Sequence, residues 1–359
     1  MIKKVDWYLL RYFIAALVMV ALAFGLLINA INMIEELRRF IDNSVPIGEI
    51  LTYYAYFSGW ILKSFLPVFV LLAALISIGI LARRNEILAM KASGISLYRI
   101  AAPLLIFTFL LSVGHIYYNE VIFPGPNKRR VEIKEFVIRK NSREAKASQR
   151  NIYRQVNRNL YFVISSYNIP DMTGEDVKIY HLAENRLTEL ITAKTMKYTS
   201  RNWMLYDGVR RIFGDSGETF IEFDSLSAAY IQDKPKDFEV PLGKPEDMGY
   251  AELEHYIDLM KRIGGPYRRE LVDLKLKISF PFASFIVILI CVPIASNPKR
   301  GGIAVSFAVG AGIALFYFVC FKVLQSLGYS GTLSPDLAAW LINGVFLVAG
   351  LAILFTARK

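Results

Sequence analysis

The sequence predicts a membrane α-helical protein with six transmembrane helices and an inserted all-β jelly-roll domain. Two observations lead to this class. Apolar runs long enough to cross a bilayer, about 20 residues for an α-helix, fall in two groups of three: 12–33, 60–81 and 100–118, then 278–295, 303–324 and 337–355. Between the groups lies a long, mostly polar stretch that changes to a period of two from Asn151, the alternation expected of strands. The expected division is therefore 1–118 for spans one to three, with a short cytoplasmic helix near 83–93. Residues 119–277 form the β-domain with a helical linker back to the membrane, and 278–359 form spans four to six. With 54% hydrophobic residues in a chain of 359, most soluble enzyme classes are excluded at once.

The first span follows Met1-Ile2-Lys3-Lys4, which has the charge of a signal-peptide n-region. Its apolar run is too long for a signal peptide and lacks an A-x-A cleavage site, so it reads as a retained helix. In the second span Pro67 predicts a kink of the kind membrane helices tolerate. The link Ala82–Arg99 is rich in helix formers up to Gly94, a natural residue just past a helix end. Glu86 stands there as one acid among Arg83, Arg84 and Lys91, with the small residues Ala89, Ala92 and Gly94 nearby. Small residues allow close approach of another protein; equally, the basic residues could rest on lipid phosphates.

The exported module begins near Asn119 with Phe123-Pro124-Gly125-Pro126. Short β-type runs follow at Leu160–Ile164, Val177–Leu182, Thr195–Thr199 and Phe220–Phe223. Trp203–Tyr206, then Asp207-Gly208, then Val209–Phe213 reads as a hairpin with a type I′ turn. Many short strands separated by turn residues indicate a sandwich or jelly roll. The apolar faces at 160–164 and 220–223 are either core or a groove for acyl chains. Beyond Pro245 a helical face of Leu253, Tyr256, Ile257, Met260 and Ile263 ends at Gly264-Gly265, and a basic amphipathic stretch, 267–277, leads into span four at Pro281.

Charge gives the orientation. The short segments on the N-terminal side hold Lys3, Lys4, Arg11, Arg83, Arg84, Lys91, Arg99, Lys299, Arg300, Arg358 and Lys359 against Asp6 and Glu86. The positive-inside rule places both termini in the cytoplasm and the large module outside. Cys291 and Cys320 both fall in spans, so no disulfide framework supports the module.

No nucleotide-binding signature is present. His115, His181 and His255 lack metal-ligand spacing, and no catalytic constellation emerges. A lipid-modifying enzyme would have only Glu120 and Glu270 as candidate acids. What remains is basic charge on the outer rim: Arg38, Arg39, Lys63, Arg268, Arg269, Lys275, Lys277 and Lys322. Ionisable residues in or beside spans mark ligand paths, which points to an anionic lipid or phosphorylated substrate. Snorkelling to ordinary headgroups is the competing account.

At this point the chain resembles the lipopolysaccharide-export permease family, the LptF/LptG type, over essentially its whole length. The resemblance is carried by the 3 + β-domain + 3 plan, the link Asn85–Ser96, Trp203–Gly208, Met248–Gly264, Lys277–Phe282 and Leu333–Trp340. It departs where Leu341-Ile342-Asn343 follow Trp340 in place of an early proline, while Gly328–Pro335 leans towards the LptG type; the two paralogues are not separated. The resemblance implies a non-catalytic permease subunit of an ABC transporter in the bacterial inner membrane. A paralogous permease completes a heterodimer, and a cytoplasmic ATPase dimer carries the ATP and Mg; no cofactor is bound by this chain. Lipopolysaccharide would be extracted from the outer leaflet past a lateral gate of spans one and five, then passed to a periplasmic jelly-roll bridge protein. Glu86, Ala89, Met90 and Gly94 become the ATPase-coupling helix. Arg38, Arg39, Lys63, Lys322, Arg268 and Lys275 become ligands for the lipid phosphates. No nucleic-acid partner and no metal is expected. The alternative function is a membrane-tethered sensor or assembly scaffold with a ligand-binding β-domain.

Overall fold

Six helices are long and apolar enough to cross a membrane among the described residues: Lys4–Asp42, Ile47–Arg83, Leu97–Ile122, Arg268–Ala295, Ala308–Ser330 and Pro335–Thr356. The computed structural model describes residues 4–140, 148–157, 159–183, 186–199, 202–214, 217–238, 243–262, 265–296 and 302–356. Lys3, Lys299, Arg300, Arg358, Lys359 and the helix-ending Gly264 lie outside them. The chain forms two compact units: one of residues 1–134, 243–254 and 268–359, the other of 135–242 and 255–267. Residues 119–134, 243–254 and 268–277, expected with the β-domain, thus belong with the helices.

The helical unit is built on spans two and four, the most enclosed of the six. Leu9, Phe13, Ile78, Leu104 and Ile288 form part of one buried cluster; Tyr317, Phe321, Ala339 and Phe346 belong to another. One set of polar groups in this apolar setting is paired across helices. Tyr317 donates to Asn343 Oδ1 at 2.6 Å, and Asn343 Nδ2 donates to the Ser279 carbonyl at 2.7 Å. One amide thereby ties spans four, five and six, as interhelical hydrogen bonds do in membranes. Span four is two helices, Arg268–Ser279 and Ala283–Ala295, joined by a 3₁₀ turn at Phe280–Phe282. Pro281, which has no N–H to continue the ladder, sits in that turn.

The second unit is a six-stranded antiparallel sheet: β1 (Ser148–Asn157), β2 (Leu160–Asn168), β3 (Thr173–Ala183), β4 (Arg186–Thr199), β5 (Asn202–Gly214) and β6 (Gly217–Ser227). Its order is β1-β2-β3-β4-β5-β6. Every strand pairs with its chain neighbours, so the expected jelly roll is met at the coarser level of an antiparallel β-domain; the described strands make one meander without crossovers.

One expectation is corrected. Asp207-Gly208 is no hairpin turn: β5 runs straight through it to Gly214, which pairs with Gly217 of the next strand. The dipeptide instead belongs to a row that crosses the entire sheet. The ladders pair Ile152↔Ile164, Ile164↔Val177, Val177↔Ala193, Ala193↔Gly208 and Gly208↔Phe223, and resume in unchanged register two residues along. The skipped row is Asn151, Ser165, Asp176, Lys194, Asp207 and Asp224. Asn151, Asp176 and Asp207, on alternate strands, have φ of 55°, 47° and 50°, the left-handed region that Asn and Asp tolerate best among non-glycine residues. At this row the side-chain phase slips. Buried positions are three apart, as at Ile164 and Tyr167, Gly174 and Val177, and Ala193 and Met196, where a regular strand would space them by two. Both halves of the sheet thereby face one core.

That core is closed by the segment 228–238. Ala228 N donates to the Trp203 carbonyl at 2.8 Å, and Trp203 Nε1 donates to the Asp233 carbonyl at 2.6 Å. Phe238 is fully buried, with its ring 4.9 Å from that of Tyr167 and 5.4 Å from that of Trp203. Of the two apolar faces read as core or groove, Leu160, Phe162 and Ile164 are core, whereas Phe220 and Ile221 are exposed on β6.

Candidate functional site

The link between spans two and three forms a helix over Glu86–Ala92. Left-handed residues bracket it, Asn85 at φ 58° and Gly94 at φ 84°. Gly94 N bonds to the Lys91 carbonyl and Ile95 N to the Met90 carbonyl, both at 3.0 Å. This is the paired closure that a glycine past the helix end permits. Ile87 is buried, Leu88, Ala89, Ala92 and Gly94 are exposed, and Met90 is half-buried. The outward face is therefore small and apolar, as close docking requires.

Glu86 does not point away freely. Tyr8 donates to its carboxylate at 2.6 Å, and Arg84 stands 4.0 Å off. Arg84 Nη1 also donates to Tyr12 Oη at 3.2 Å, and Arg99 pairs with the buried Asp6 at 2.6 Å. The first turns of span one thus hold the link through Asp6, Tyr8 and Tyr12. Composition alone could not reveal this grip, because the partners are far apart in sequence and tyrosine at a span end is common.

The rim cations divide by what meets their charge. Lys63 is bound to Asp247 at 2.9 Å and to the Glu246 carbonyl at 3.0 Å, with the Phe123 ring centroid 4.4 Å away. Asp247 also faces Arg130 at 3.7 Å, and all three side chains are largely buried. Lys277 pairs with Glu120 at 3.1 Å and donates to the Met248 carbonyl, so Glu120 is engaged in structure. Lys275 meets Asp336 at 3.0 Å; Arg38 meets Asp42 at 3.6 Å; Arg39 meets Glu36 at 2.5 Å, and Glu36 also takes Lys134 at 3.2 Å. Arg268 is spent on three carbonyls, those of Gly328, Gly331 and Leu333, capping the end of span five.

Among the described residues Lys322 and Arg269, like Arg268, have no carboxylate within ion-pair distance. Lys322 lies on an open recess of about 410 Å³ with Phe318, Val319, Val323 and Ser326, and its ammonium is held by Gln325 Oε1 at 2.9 Å. The guanidinium of Arg269 lies 5.7 Å from the centroid of the Tyr329 ring. Packing also separates the spans. In its most apolar window span one is 11% buried and span five 24%, against 78% for span two and 72% for span four.

This architecture matches a known family along nearly all its length. The model of the lipopolysaccharide export system permease LptF/LptG covers residues 7–356. The chain belongs to the LptF/LptG family. Among individual LptF/LptG proteins it is 22% identical over 331 residues to lipopolysaccharide export system permease protein LptF of Escherichia coli, covering 90% of this chain and 86% of that one. It is 20% identical over 335 residues to the LptG protein of Haemophilus influenzae, covering 90% of each. Members of the family are permease subunits, not catalysts. The LptF/LptG assignment accords with the six apolar helices and the β-domain.

Proposed function

We propose that this chain is one half of a two-permease, ATP-driven exporter that lifts lipopolysaccharide from the outer leaflet of the bacterial inner membrane. Both termini lie in the cytoplasm, the β-unit lies in the periplasm, and a separate ATPase dimer docks on the Glu86–Ala92 helix. The β-unit fills the place of a jelly roll, receiving the glycolipid and passing it to a similarly folded bridge protein. The observation that carries this reading is the uneven packing of the spans. Spans one and five, the two that the resemblance assigns to the lateral gate, are the least covered of the six. Apolar side chains gain no hydrophobic driving force by leaving lipid for each other, so such faces suit a gate that alternates between lipid, substrate and a partner helix. The uncompensated Lys322 and Arg269 supply the positive charge for the lipid's phosphates, and the carboxylate-paired rim cations hold the scaffold.

Native purification in detergent, followed by mass spectrometry of everything that stays bound, tests this. Recovery of a second permease, an ATPase and a phosphorylated glycolipid is the expected result. Recovery of the chain alone, or with a signalling partner and no lipid, would replace it with the sensor or scaffold reading.

A further inference from the structure

Span one is a single helix, Lys4–Asp42, with no proline along it. Its inner end is pinned by the buried Asp6 to Arg99 at 2.6 Å and by Tyr8 to Glu86 at 2.6 Å. A rod held at one end moves most at the other, and the outer end carries Glu36. This residue is 5% exposed. Its carboxylate meets two cations of different origin. Arg39 lies one turn along the same helix and is exposed; Lys134, at 3.2 Å, is half-buried and comes from another element.

Lys134 belongs to the connector that leads towards the first strand. There the helix Pro124–Glu132 passes into a π-helical turn, Ile133–Ile138, a rare geometry frequently met at functional sites. Ile133 and Ile138 are fully buried, and Lys134 is the last residue of the helical unit on this path. Earlier in the connector Arg129 meets Glu49 of span two at 3.8 Å, and the Arg130 guanidinium lies 5.8 Å from the centroid of the Trp60 ring of the same span. The connector is thus docked on the well-packed span two and reaches the loosely packed span one through Lys134.

The source of each cation decides whether a contact can part. A buried carboxylate stripped of its partners is costly. Asp247 draws both its cations, Lys63 and Arg130, from elements other than its own, so moving it strips it bare. Glu36 is placed differently. Arg39 travels with it on span one, so the carboxylate stays paired when Lys134 is withdrawn.

We infer that Glu36 and Lys134 form a releasable latch between span one and the connector to the β-unit, with Arg39 as the carboxylate's partner after release. This rests on the export reading above, which makes span one part of the gate, and adds how the gate's position reaches the connector. Engaged, as here, the latch ties the connector to span one as well as to span two. When span one swings away, the connector is left on span two.

The test is hydrogen exchange by mass spectrometry on the assembled transporter in nanodiscs, nucleotide-free and trapped with ADP and vanadate. In the wild type, whichever state loosens residues 34–42 should also speed exchange over 133–140 by about threefold, the scale of one partly exposed ion pair. Lys134→Gln should leave 133–140 fast in both states, and Lys134→Arg should restore the wild-type response. Arg39→Gln removes the stand-in partner and should leave 133–140 slow in both states. In a merely structural cluster both losses of a cation would loosen the connector. Loosening by both Gln variants, no effect of either, or a connector that ignores nucleotide while 34–42 responds overturns the latch and leaves export intact. A wild type in which 34–42 itself does not respond overturns the gate on which both readings stand.

Discussion

Tyr8 on the first span donates a hydrogen bond to the Glu86 carboxylate at 2.6 Å, across 78 residues of sequence. The acid of the link helix is therefore held from inside its own chain, and its orientation is set by span one. Tyr8→Phe removes that donor but keeps the edge-to-face ring contact with Tyr12. It should leave folding unchanged and cost about 1 kcal/mol of orientation, the net worth of one hydrogen bond. The expected outcome is a partial loss of ATP hydrolysis by the assembled transporter, with Glu86→Lys abolishing it. Full hydrolysis in both variants would remove the coupling role.

Asp247 holds Lys63 and Arg130 in a largely buried cluster. Breaking a buried pair strands an uncompensated charge, at a cost of about 3–5 kcal/mol. Asp247→Ala should therefore sharply lower the unfolding midpoint of the helical unit in detergent. Lys63→Met should cost much less, since Arg130 still faces the acid. A larger drop for Lys63→Met than for Asp247→Ala would contradict this assignment.

Gly208 has no room for a side chain, because a Cβ there would meet the Thr192 carbonyl and the Phe223 ring. Gly208→Val should destabilise the β-unit by about 1–3 kcal/mol, as overpacking does. Chemical denaturation followed by Trp203 fluorescence would measure it, and a neutral result would mean the strands can part at this row.

Burial holds the Asp233 carboxyl above its ordinary value of 3.8, with Asp237 adding to the rise while Arg154 and Arg262 oppose it. The folded β-unit thus binds this proton more tightly than the unfolded chain. Its contribution to stability is complete below pH 3.8 and is lost as pH rises through the folded value. Asp233→Asn should make the unit more stable than the wild type at pH 7, with the gap closing towards pH 4. A gap that widened on acidification would reverse the sign.

The six spans were legible because an apolar run long enough to cross a bilayer leaves few other structures open to it. The link helix was legible from its formers and from Gly94. Asp207-Gly208 misled because the residues that favour a tight turn are the same ones that tolerate left-handed backbone inside a strand; only the neighbouring strands distinguish the two. The rim charges could be counted but not sorted, because their partners Asp247, Glu120 and Asp336 lie 184, 157 and 61 residues away from Lys63, Lys277 and Lys275. Gln325 carried no charge and so drew no attention, although it is the residue that holds the Lys322 ammonium.

The shared row from Asn151 to Asp224 has a consequence for how this sheet can vary. Because all six strands change phase on one line, the β-unit is in effect two half-sheets with separate inside–outside codes stitched edge to edge. A one-residue deletion at that line in a single strand would restore ordinary alternation there and leave that strand out of step with both neighbours. Deletion of the row from every strand together would give a regular sheet again. Length changes in these strands should therefore be inherited as a set.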